Sequence, residues 1–363
     1  MSDMKILQMI ASLRTGGAEK LIVDMVPKYR EYGLDVDVLL FDGTETPFKR
    51  QLENAGVKVY SLGCGESVYN PLYIPRLLSY LRRYDIVHTH TTAPQLFAAV
   101  GSVLCSVVLC TTEHNTSNRR RRLTYYRPID KWMYSRYKEV ISISKAATEE
   151  LARHVEIKCP ITTIPNGIDV NKYTEACAVD KRDLGCREDS FLLMMVAGFR
   201  NQKDQDTIIR TMQLLPETVQ LCLVGDGERK KECEELAVKC GVADRVIFTG
   251  IRTDVPNVLK AADVVVMSSH YEGFGLAAVE GMAAGKPVVV SDVVGLGDIV
   301  REHGILFPNQ DAKALANSIN HLMTDRSFYS QIASRCRARA NDFDISKTVD
   351  GYVGVYRRLM MAD

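Results

Sequence analysis

The sequence lacks several features that would assign it to other classes of protein. Its 46 lysines and arginines nearly balance 45 aspartates and glutamates, for a net charge of +1. General nucleic-acid binders usually carry a large basic excess, so we expect no nucleic-acid partner. The ten cysteines include no C-x-x-C pair and form no cluster with histidines, which indicates reduced thiols in a cytosolic protein.

The sequence also shows no pattern typical of a targeting or membrane-spanning segment. No basic stretch followed by a long apolar run opens the chain, so we expect no signal peptide. The longest apolar-leaning run, Leu96–Cys110, is interrupted by Gly101, Ser102 and Ser106. It is too short and too polar to span a bilayer. We therefore expect a cytoplasmic protein.

Short apolar segments do alternate with amphipathic ones along the 363 residues. This alternation predicts βαβ units and mostly parallel sheets. The predicted strands are Lys5–Ile10, Asp35–Phe41, Val57–Leu62, Ile86–Thr89, Val107–Glu113, Glu139–Ser144, Ile161–Ile164, Ser190–Val196, Val219–Val224, Val246–Thr249, Val264–Ser268 and Pro287–Ser291. The predicted helices are Ala18–Tyr32, Lys145–His154, Thr207–Leu215, Arg229–Cys240, Val255–Ala261, Leu276–Ala284, Ala312–Thr324 and Ile345–Met360.

A turn signal divides this series into two halves. Pro165, Asn166 and Gly167 follow one strand, and the alternation then restarts. Two successive doubly wound sheets are the simplest architecture for such a pattern. In such folds a ligand sits at the carboxyl ends of the strands, so we expect a cleft between the two domains to bind it.

The stretch Glu272–Glu280 joins a predicted strand to a predicted helix. Gly273 and Gly275 let the backbone turn sharply and approach a ligand. The helix start offers unpaired amides, which suit phosphates or sugar hydroxyls. Glu280 is placed to accept hydrogen bonds from a ribose diol. Two acids alone would indicate a solvated pair at a helix end, but the flanking glycines favour a binding site.

This segment, EGFGLAAVEGMAAGKPVVVSD, resembles the donor-site segment of family 4 glycosyltransferases, which have the GT-B fold. The resemblance extends over most of the chain. Its other motifs are Arg14–Glu19, Asp85–His90, Ile164–Asp169, Leu223–Gly227 and Phe248–Arg252.

The resemblance implies an α/β protein of two Rossmann-like domains facing a central cleft. The final helix of such proteins crosses back, so residues 1–165 plus 345–363 would form the acceptor-side domain and 166–344 the nucleotide-sugar domain. The family transfers a sugar from a nucleoside diphosphate, here UDP or GDP, with retained anomeric configuration. The acceptor would be a glycan or a lipid-linked sugar in bacterial surface polysaccharide synthesis. No metal and no cofactor would be needed.

The resemblance also assigns roles to individual residues. Lys203 would stabilise charge on the leaving diphosphate, Glu272 would support the donor sugar, and His114 would contact that sugar near the reacting centre. Relatives carry an arginine five residues before the lysine, where this chain has Gly198, with Arg200 nearby. The full set of donor-binding candidates is Gly16, Gly17, Asn166, Arg200, Lys203, Gly225, Ile251, Gly273, Phe274, Gly275, Leu276 and Glu280.

Two further features leave alternatives open. His88 and His90 share a strand face; without a third ligand, a structural or hydrogen-bonding role is favoured over a metal site. The stretch Arg119–Lys138 has eight basic residues, one acid and interleaved aromatics. It fits an anionic membrane surface, a lipid-diphosphate acceptor, an RNA patch or a solvated helix face. We favour peripheral association with the inner face of the cell membrane.

Two other functions share parts of this pattern. A GT-B sugar-nucleotide epimerase would have the same fold, but it would place acid and base carboxylates at the reacting sugar. A two-domain sugar-binding protein would need no phosphate-binding loops. The acids on either side of Gly273–Gly275 favour the transferase over the epimerase. The phosphate-binding loops and the lack of an export signal favour it over the sugar-binding protein.

Overall fold

The computed structural model describes residues 4–14, 16–114 and 124–361. The chain folds into two compact units, Met1–Gly167 with Ile345–Asp363 and Ile168–Asp344. The division falls two residues after the boundary expected from the Pro165-Asn166-Gly167 turn.

The first unit is built on a seven-stranded parallel sheet with the order β3-β2-β1-β4-β5-β6-β7. Its strands are β1 Lys5–Ile10, β2 Asp35–Asp42, β3 Val59–Gly63, β4 Ile86–Thr89, β5 Val108–Glu113, β6 Glu139–Ser142 and β7 Ile161–Thr163. The strand order reverses between β1 and β4. In open α/β sheets this reversal opens a crevice at the carboxyl ends of the strands.

The second unit repeats the design with six parallel strands in the order β10-β9-β8-β11-β12-β13. They are β8 Phe191–Val196, β9 Val219–Val224, β10 Val246–Gly250, β11 Val264–Met267, β12 Val288–Ser291 and β13 Ile305–Phe307. The reversal here lies between β8 and β11. The loops that follow these two strands therefore lie where a ligand is expected.

Helices connect the strands in both units. They are α1 Gly17–Met25, α2 Pro47–Asn54, α3 Tyr73–Leu81, α4 Thr92–Gly101, α5 Arg127–Tyr134, α6 Lys145–His154, α7 Val170–Thr174, α8 Gln205–Thr211, α9 Lys230–Lys239, α10 Val255–Ala261, α11 Leu276–Ala283, α12 Leu296–Val300, α13 Ala312–Thr324, α14 Arg326–Ala340 and α15 Ile345–Met361.

The predicted helices Ala18–Tyr32 and Thr207–Leu215 both end as 3-10 helix, and α2, α3, α7, α12, α14 and β13 were not predicted. The helix expected over Ala18–Tyr32 is α-helical only to Met25 and continues as a 3-10 helix over Val26–Tyr32. Pro27 lacks the amide that would continue the α-helical pattern. The fifteen-residue α14 was missed because it buries only Ile332, Cys336 and Ala340, a narrow apolar stripe among arginines.

The final helix α15 belongs to the core of the first unit. Val349, Tyr352 and Tyr356 are fully buried in a cluster that includes Ile6 and Ile10 of β1. Alternate residues of β1 enter a second cluster on the other sheet face. Both faces of the sheet are thus covered, as parallel sheets require.

Candidate active site

The loops after β8 and β11 meet in the second unit. The 3-10 helix Asn201–Lys203 lies in the first of these loops. The Gln202 side-chain amide donates to the Tyr271 carbonyl at 2.9 Å, and the His270 amide donates to the Gln202 carbonyl at 2.9 Å. These contacts fix one loop against the other, although the two segments are about seventy positions apart in sequence.

Lys203 and Glu272 form an ion pair where these loops meet. Lys203 Nζ lies 2.5 Å from Glu272 Oε1, and Ser269 Oγ donates to the same carboxylate oxygen at 2.8 Å. Glu272 is buried, whereas the Lys203 side chain is about one-fifth exposed. The sequence predicted both residues but not their pairing. A bound anion would therefore compete with Glu272 for the lysine.

Asp204 sets the direction of the chain after Lys203. Its φ of +47° is left-handed, which is uncommon for a residue with a Cβ. Its carboxylate accepts from the Thr207 amide at 3.3 Å and from Thr207 Oγ at 2.6 Å, and so caps α8. Burial raises the pKa of Asp204 above its usual value. The cap offsets the strained backbone beside the lysine.

The turn into α11 depends on Gly275. Its φ of +97° is left-handed, and a Cβ there would lie 2.5 Å from a methyl group of Leu296. Phe274 is buried and contacts Phe343 edge-on, with ring centroids 5.4 Å apart. The eight-residue helix that begins at Leu276 presents its first amides at the carboxyl edge of the sheet.

Glu280 is buried inside α11 and accepts a hydrogen bond from the Tyr173 hydroxyl at 2.8 Å. Tyr173 lies in α7 and is itself buried. Its part in the site was not visible in the sequence, because 107 positions separate it from Glu280. The only available signal was general, since a buried tyrosine hydroxyl usually has a polar partner.

A glycine turn follows β9 beside the same loops. Gly225 has φ +139°, and a Cβ there would lie 2.2 Å from the Ala197 carbonyl oxygen. Its amide donates to the Gly250 carbonyl at 2.9 Å. Beyond Gly250, Ile251 is exposed, as a residue contacting a nucleobase would be.

Arg200 lies next to the position where relatives carry their arginine. Its Nε is 3.8 Å from where a Cβ of residue 198 would stand, and its side chain is exposed. No atom comes closer than 3.6 Å to that Cβ position. A Cβ at position 198 would thus be in ordinary van der Waals contact, with Arg200 Nε beside it.

The predicted residues of the first unit lie after β1, β5 and β7. Gly16 precedes α1 and accepts from the Lys20 amide at 3.0 Å, and Gly17 is the first residue of the helix. His114 follows β5, and its Nε2 lies 3.0 Å from His90 Nδ1. Burial lowers the pKa of His114 to about 4. Asn166, also predicted, is buried.

Two of these predicted residues each have a buried polar atom that lacks a hydrogen-bond partner within residues 4–14, 16–114 and 124–361. Neither His114 Nδ1 nor Asn166 Oδ1 has a hydrogen-bond partner among the residues that the structure describes. Buried polar atoms are usually paired, so such exceptions favour a ligand contact.

The three histidines contact one another in series. The His88 and His90 rings stack with centroids 4.3 Å apart, and His90 contacts His114. No group of three metal-ligating side chains with suitable geometry occurs in residues 4–14, 16–114 and 124–361. The histidines instead make the hydrogen bonds that the sequence favoured.

Comparison with known proteins places this arrangement in a family. A model described as "Glycosyl transferases group 1" matches residues 178–340, and one described as "Glycosyltransferase Family 4" matches residues 15–172. Together they span most of the chain. The chain belongs to the group 1 glycosyltransferases. The predicted α/β fold, with two doubly wound domains of GT-B type, is confirmed.

Individual relatives of this glycosyltransferase agree with the assignment. An Escherichia coli UDP-Gal:alpha-D-GlcNAc-diphosphoundecaprenol alpha-1,3-galactosyltransferase is 29% identical over 76% of this chain and 75% of its own. The Rhizobium meliloti lipopolysaccharide core glycosyltransferase LpsE is 27% identical over 89% of this chain and 90% of its own. The structure of Anabaena HepE with UDP-glucose is 25% identical, with a TM-score of 0.87, over 98% of this chain and 100% of its own.

Two arginines of the basic segment Arg119–Lys138 are hydrogen-bonded to backbone carbonyls of this glycosyltransferase. Arg119–Arg122 lie outside the described residues. Arg127 donates to the carbonyls of His154 and Arg153, and Arg136 donates to the Ser102 carbonyl. Both arginines are exposed, and their hydrogen bonds link α5 to the end of α6 and the residues after α5 to the end of α4. Tyr125, Ile129 and Trp132 are exposed beside them. Among helices in the described part of the chain, none is long and apolar enough to span a membrane.

Proposed function

We propose that this glycosyltransferase moves a sugar from a nucleoside diphosphate to a glycan or lipid-linked acceptor, with retention at the anomeric carbon. The observation that carries the proposal is the Lys203–Glu272 pair. It lies at the strand reversal of the second unit, beside the glycine turn that opens α11. Loops at a strand reversal and a helix N-terminus both suit a diphosphate.

The donor diphosphate binds the first amides of α11 and takes Lys203 from Glu272. Two phosphate charges outcompete one carboxylate for the ammonium group, and the lysine is exposed enough to move. Glu272 is then released to support the donor sugar. As the sugar leaves, negative charge develops on the diphosphate, and the lysine and the helix amides stabilise that charge.

The transfer is a front-face substitution. The acceptor hydroxyl oxygen attacks the anomeric carbon from the side of the leaving group, while the bond between that carbon and the phosphate oxygen breaks. The hydroxyl proton passes to the departing phosphate oxygen. Neither Glu272 nor Lys203 forms a covalent bond. No metal or cofactor takes part, so we expect activity to persist in excess chelator.

Two further contacts orient the donor. Glu280, fixed by the Tyr173 hydroxyl, accepts from the ribose hydroxyls. His114 Nδ1 accepts from a hydroxyl of the transferred sugar. Ile251 and Gly225 of the second unit are further candidate donor contacts, and so are Gly16, Gly17 and Asn166 of the first unit.

Arg200 serves in place of the arginine that relatives carry at position 198. If so, Arg200→Ala lowers donor affinity, and we expect Gly198→Arg in the Arg200→Ala background to restore it, because a Cβ fits at position 198 without a clash. Gly198→Ala in the same background is the matched control and should restore nothing. Equal donor affinities for Arg200→Ala and the unaltered protein would contradict this role.

We expect a UDP-sugar donor and a lipid-diphosphate acceptor. HepE was solved with UDP-glucose, and the Escherichia coli relative is named for a UDP-galactose donor and a diphosphoundecaprenol acceptor. A thermal-shift panel of UDP, GDP and free sugars tests the donor. A response to free sugars alone would indicate a sugar-binding protein, and an altered sugar on the donor without acceptor would indicate an epimerase.

Retention is tested on the product itself. The anomeric configuration of the transferred sugar, read by NMR against that of the donor, should be unchanged. An inverted product would exclude front-face substitution at this site.

A lipid-linked acceptor also fits peripheral association with the inner face of the cell membrane. Tyr125, Ile129 and Trp132 form an exposed aromatic and aliphatic group beside the basic segment. Flotation with anionic liposomes should recover the protein, and Trp132→Glu should reduce the recovery. No recovery at low salt would contradict membrane docking.

A further inference from the structure

A row of polar side chains crosses an otherwise apolar face of the first sheet. Gln8 on β1, His88 on β4 and Thr112 on β5 are all buried. The same face carries Ile6 and Ile10, which pack against α15. Buried polar groups persist in such a place when each is hydrogen-bonded. Here they are bonded to one another and to α15.

The contacts form one continuous chain. Gln8 Nε2 donates to the Tyr356 hydroxyl at 2.8 Å, and Gln8 Oε1 lies 2.5 Å from His90 Nε2. His90 Nδ1 then lies 3.0 Å from His114 Nε2. A side branch runs from Tyr356 through His88 and Thr112 to Tyr352, at 2.6, 2.8 and 3.0 Å.

The chemistry of each atom fixes the protons along this chain. An amide oxygen only accepts, so His90 Nε2 carries a proton. Burial lowers the pKa of His90 well below its ordinary value, so the ring is neutral and its Nδ1 accepts. His114 Nε2 must therefore donate. The neutral His114 ring is left with a lone pair on Nδ1, the buried atom without a partner in the described part of the chain.

We propose that Gln8 is a positioning residue that sets the tautomer of His114, so that Nδ1 is an acceptor for a sugar hydroxyl. The hydrogen bonds from Gln8 through His90 to His114 change direction together. Turning the Gln8 amide by 180° would reverse every donor between it and His114, and His114 would then present an N–H. In the structure the Tyr356 hydroxyl accepts from Gln8 Nε2, which leaves Gln8 Oε1 facing His90. The functional half of this inference rests on the sugar contact proposed for His114.

The inference predicts how the site selects its donor. A lone pair on Nδ1 accepts from a hydroxyl but cannot pair with an ether oxygen. A donor whose contacted hydroxyl is replaced by hydrogen or by a methoxy group would leave Nδ1 buried and unpaired. Sites built around a hydrogen bond reject analogues that lack it. Gln8 would thus influence specificity without touching the substrate.

The test reads the tautomer directly. NMR of protein labelled with ¹⁵N-histidine reports which ring nitrogen of each histidine is protonated. The measurement uses the ligand-free protein and does not depend on its activity. In the unaltered protein we expect His114 protonated on Nε2 alone. Gln8→Met conserves volume but removes the amide, and should give a mixture of both tautomers at His90 and His114. Tyr356→Phe frees the Gln8 amide to turn and should do the same.

Tyr352→Phe is the matched control. It removes a buried hydroxyl from the side branch, leaves every contact of Gln8 intact, and should keep a single His114 tautomer. Gln8→Met should also lower kcat/KM for the donor about ten-fold, the size of one lost hydrogen bond. In a His114→Ala background, Gln8→Met should have no further effect on transfer. If Gln8 had a merely structural role, its loss would lower transfer further than His114→Ala alone.

The outcomes separate the two halves of the inference. A proton on His114 Nδ1 in the unaltered protein, or a single unchanged tautomer in both Gln8→Met and Tyr356→Phe, would overturn the role of Gln8. A mixed tautomer with unchanged kcat/KM would overturn the sugar contact of His114 instead. Transfer by the unaltered protein then tells whether the proposed function itself stands.

Discussion

At the level of single residues, the two partners of the Lys203–Glu272 ion pair differ in solvent exposure. The Glu272 side chain is 7% exposed and the Lys203 side chain 21%. The carboxylate is fixed by Ser269, while the ammonium group reaches the surface. This inequality suits a lysine that changes partner when a diphosphate arrives.

Removing the lysine alone should destabilise the protein. Lys203→Met leaves a buried carboxylate with the Ser269 hydroxyl but without its ion pair, at a cost of about 1–3 kcal/mol. Adding Glu272→Gln should recover much of that loss, because the buried charge is gone. Urea denaturation of the two single variants and the double variant measures the coupling. Strictly additive effects would contradict a stabilising pair.

Tyr173→Phe should weaken donor binding without a comparable fall in kcat. The variant removes the hydroxyl that fixes Glu280, so the ribose contact becomes less well placed and KM for the donor rises several-fold. Tyr329→Phe is the control in the same unit, since it removes a hydroxyl bonded to the Asp263 carbonyl. If both variants raise KM equally, Glu280 has no special part in donor binding.

At the level of secondary-structure elements, the site depends on how closely two loops approach. The loop after β9 passes against the backbone that follows β8, and the Phe199 amide donates to the Asp226 carbonyl at 3.0 Å. Only a residue without a Cβ fits where the chains are nearest.

Gly225→Ala should therefore destabilise the second unit. Its Cβ would collide with the Ala197 carbonyl, and its φ of +139° is strained for alanine. Backbone strain of this kind costs on the order of 1–3 kcal/mol, and the collision adds to it. Gly198→Ala, where the nearest atom is 3.6 Å away, should be nearly neutral. Equal denaturation midpoints for the two variants would refute the close approach.

At the level of the whole molecule, α15 makes the first unit discontinuous in sequence. Its buried tyrosines fill the core beside β1 and also end the hydrogen-bonded chain that reaches His114. Residues of α15 thus support a candidate site residue more than two hundred positions earlier in the sequence.

Stability should fall in mild acid. Burial lowers the pKa of His88 to about 3 and that of His114 to about 4, against about 6.5 in the unfolded chain. Between these values the unfolded state binds more protons, so the free energy of unfolding decreases as pH falls below about 6.5. Each histidine contributes a slope approaching about 1.4 kcal/mol per pH unit. Asp204, whose pKa is raised, contributes in the opposite direction.

Urea midpoints measured between pH 7.5 and 5 would check this. His88→Gln should flatten the dependence, and His321→Gln, which changes a surface histidine, should not. A pH-independent midpoint for the unaltered protein would contradict burial of neutral histidines.

Much of the fold could be predicted from the sequence, because strand and helix patterns are local. The strands Lys5–Ile10, Ile86–Thr89 and Val219–Val224 have the predicted bounds. Helices with weak patterns could not be predicted, since α14 buries one residue per turn and the rest of its surface is polar. Pro27 is visible in the sequence, but it does not by itself indicate that the α-helix continues as a 3-10 helix.

The sequence by itself determined the α/β alternation and the glycine turns, because each depends on neighbours within a few positions. Its resemblance to family 4 glycosyltransferases indicated the candidate residues Lys203, Glu272, Glu280 and His114. Only the tertiary structure decided their partners. Lys203 pairs with Glu272, Tyr173 bonds Glu280, and Gln8 bonds His90 beside His114. These contacts depend on the spatial order of the strands within each parallel sheet. A strand reversal brings distant loops to one edge, and no local pattern specifies which loops meet.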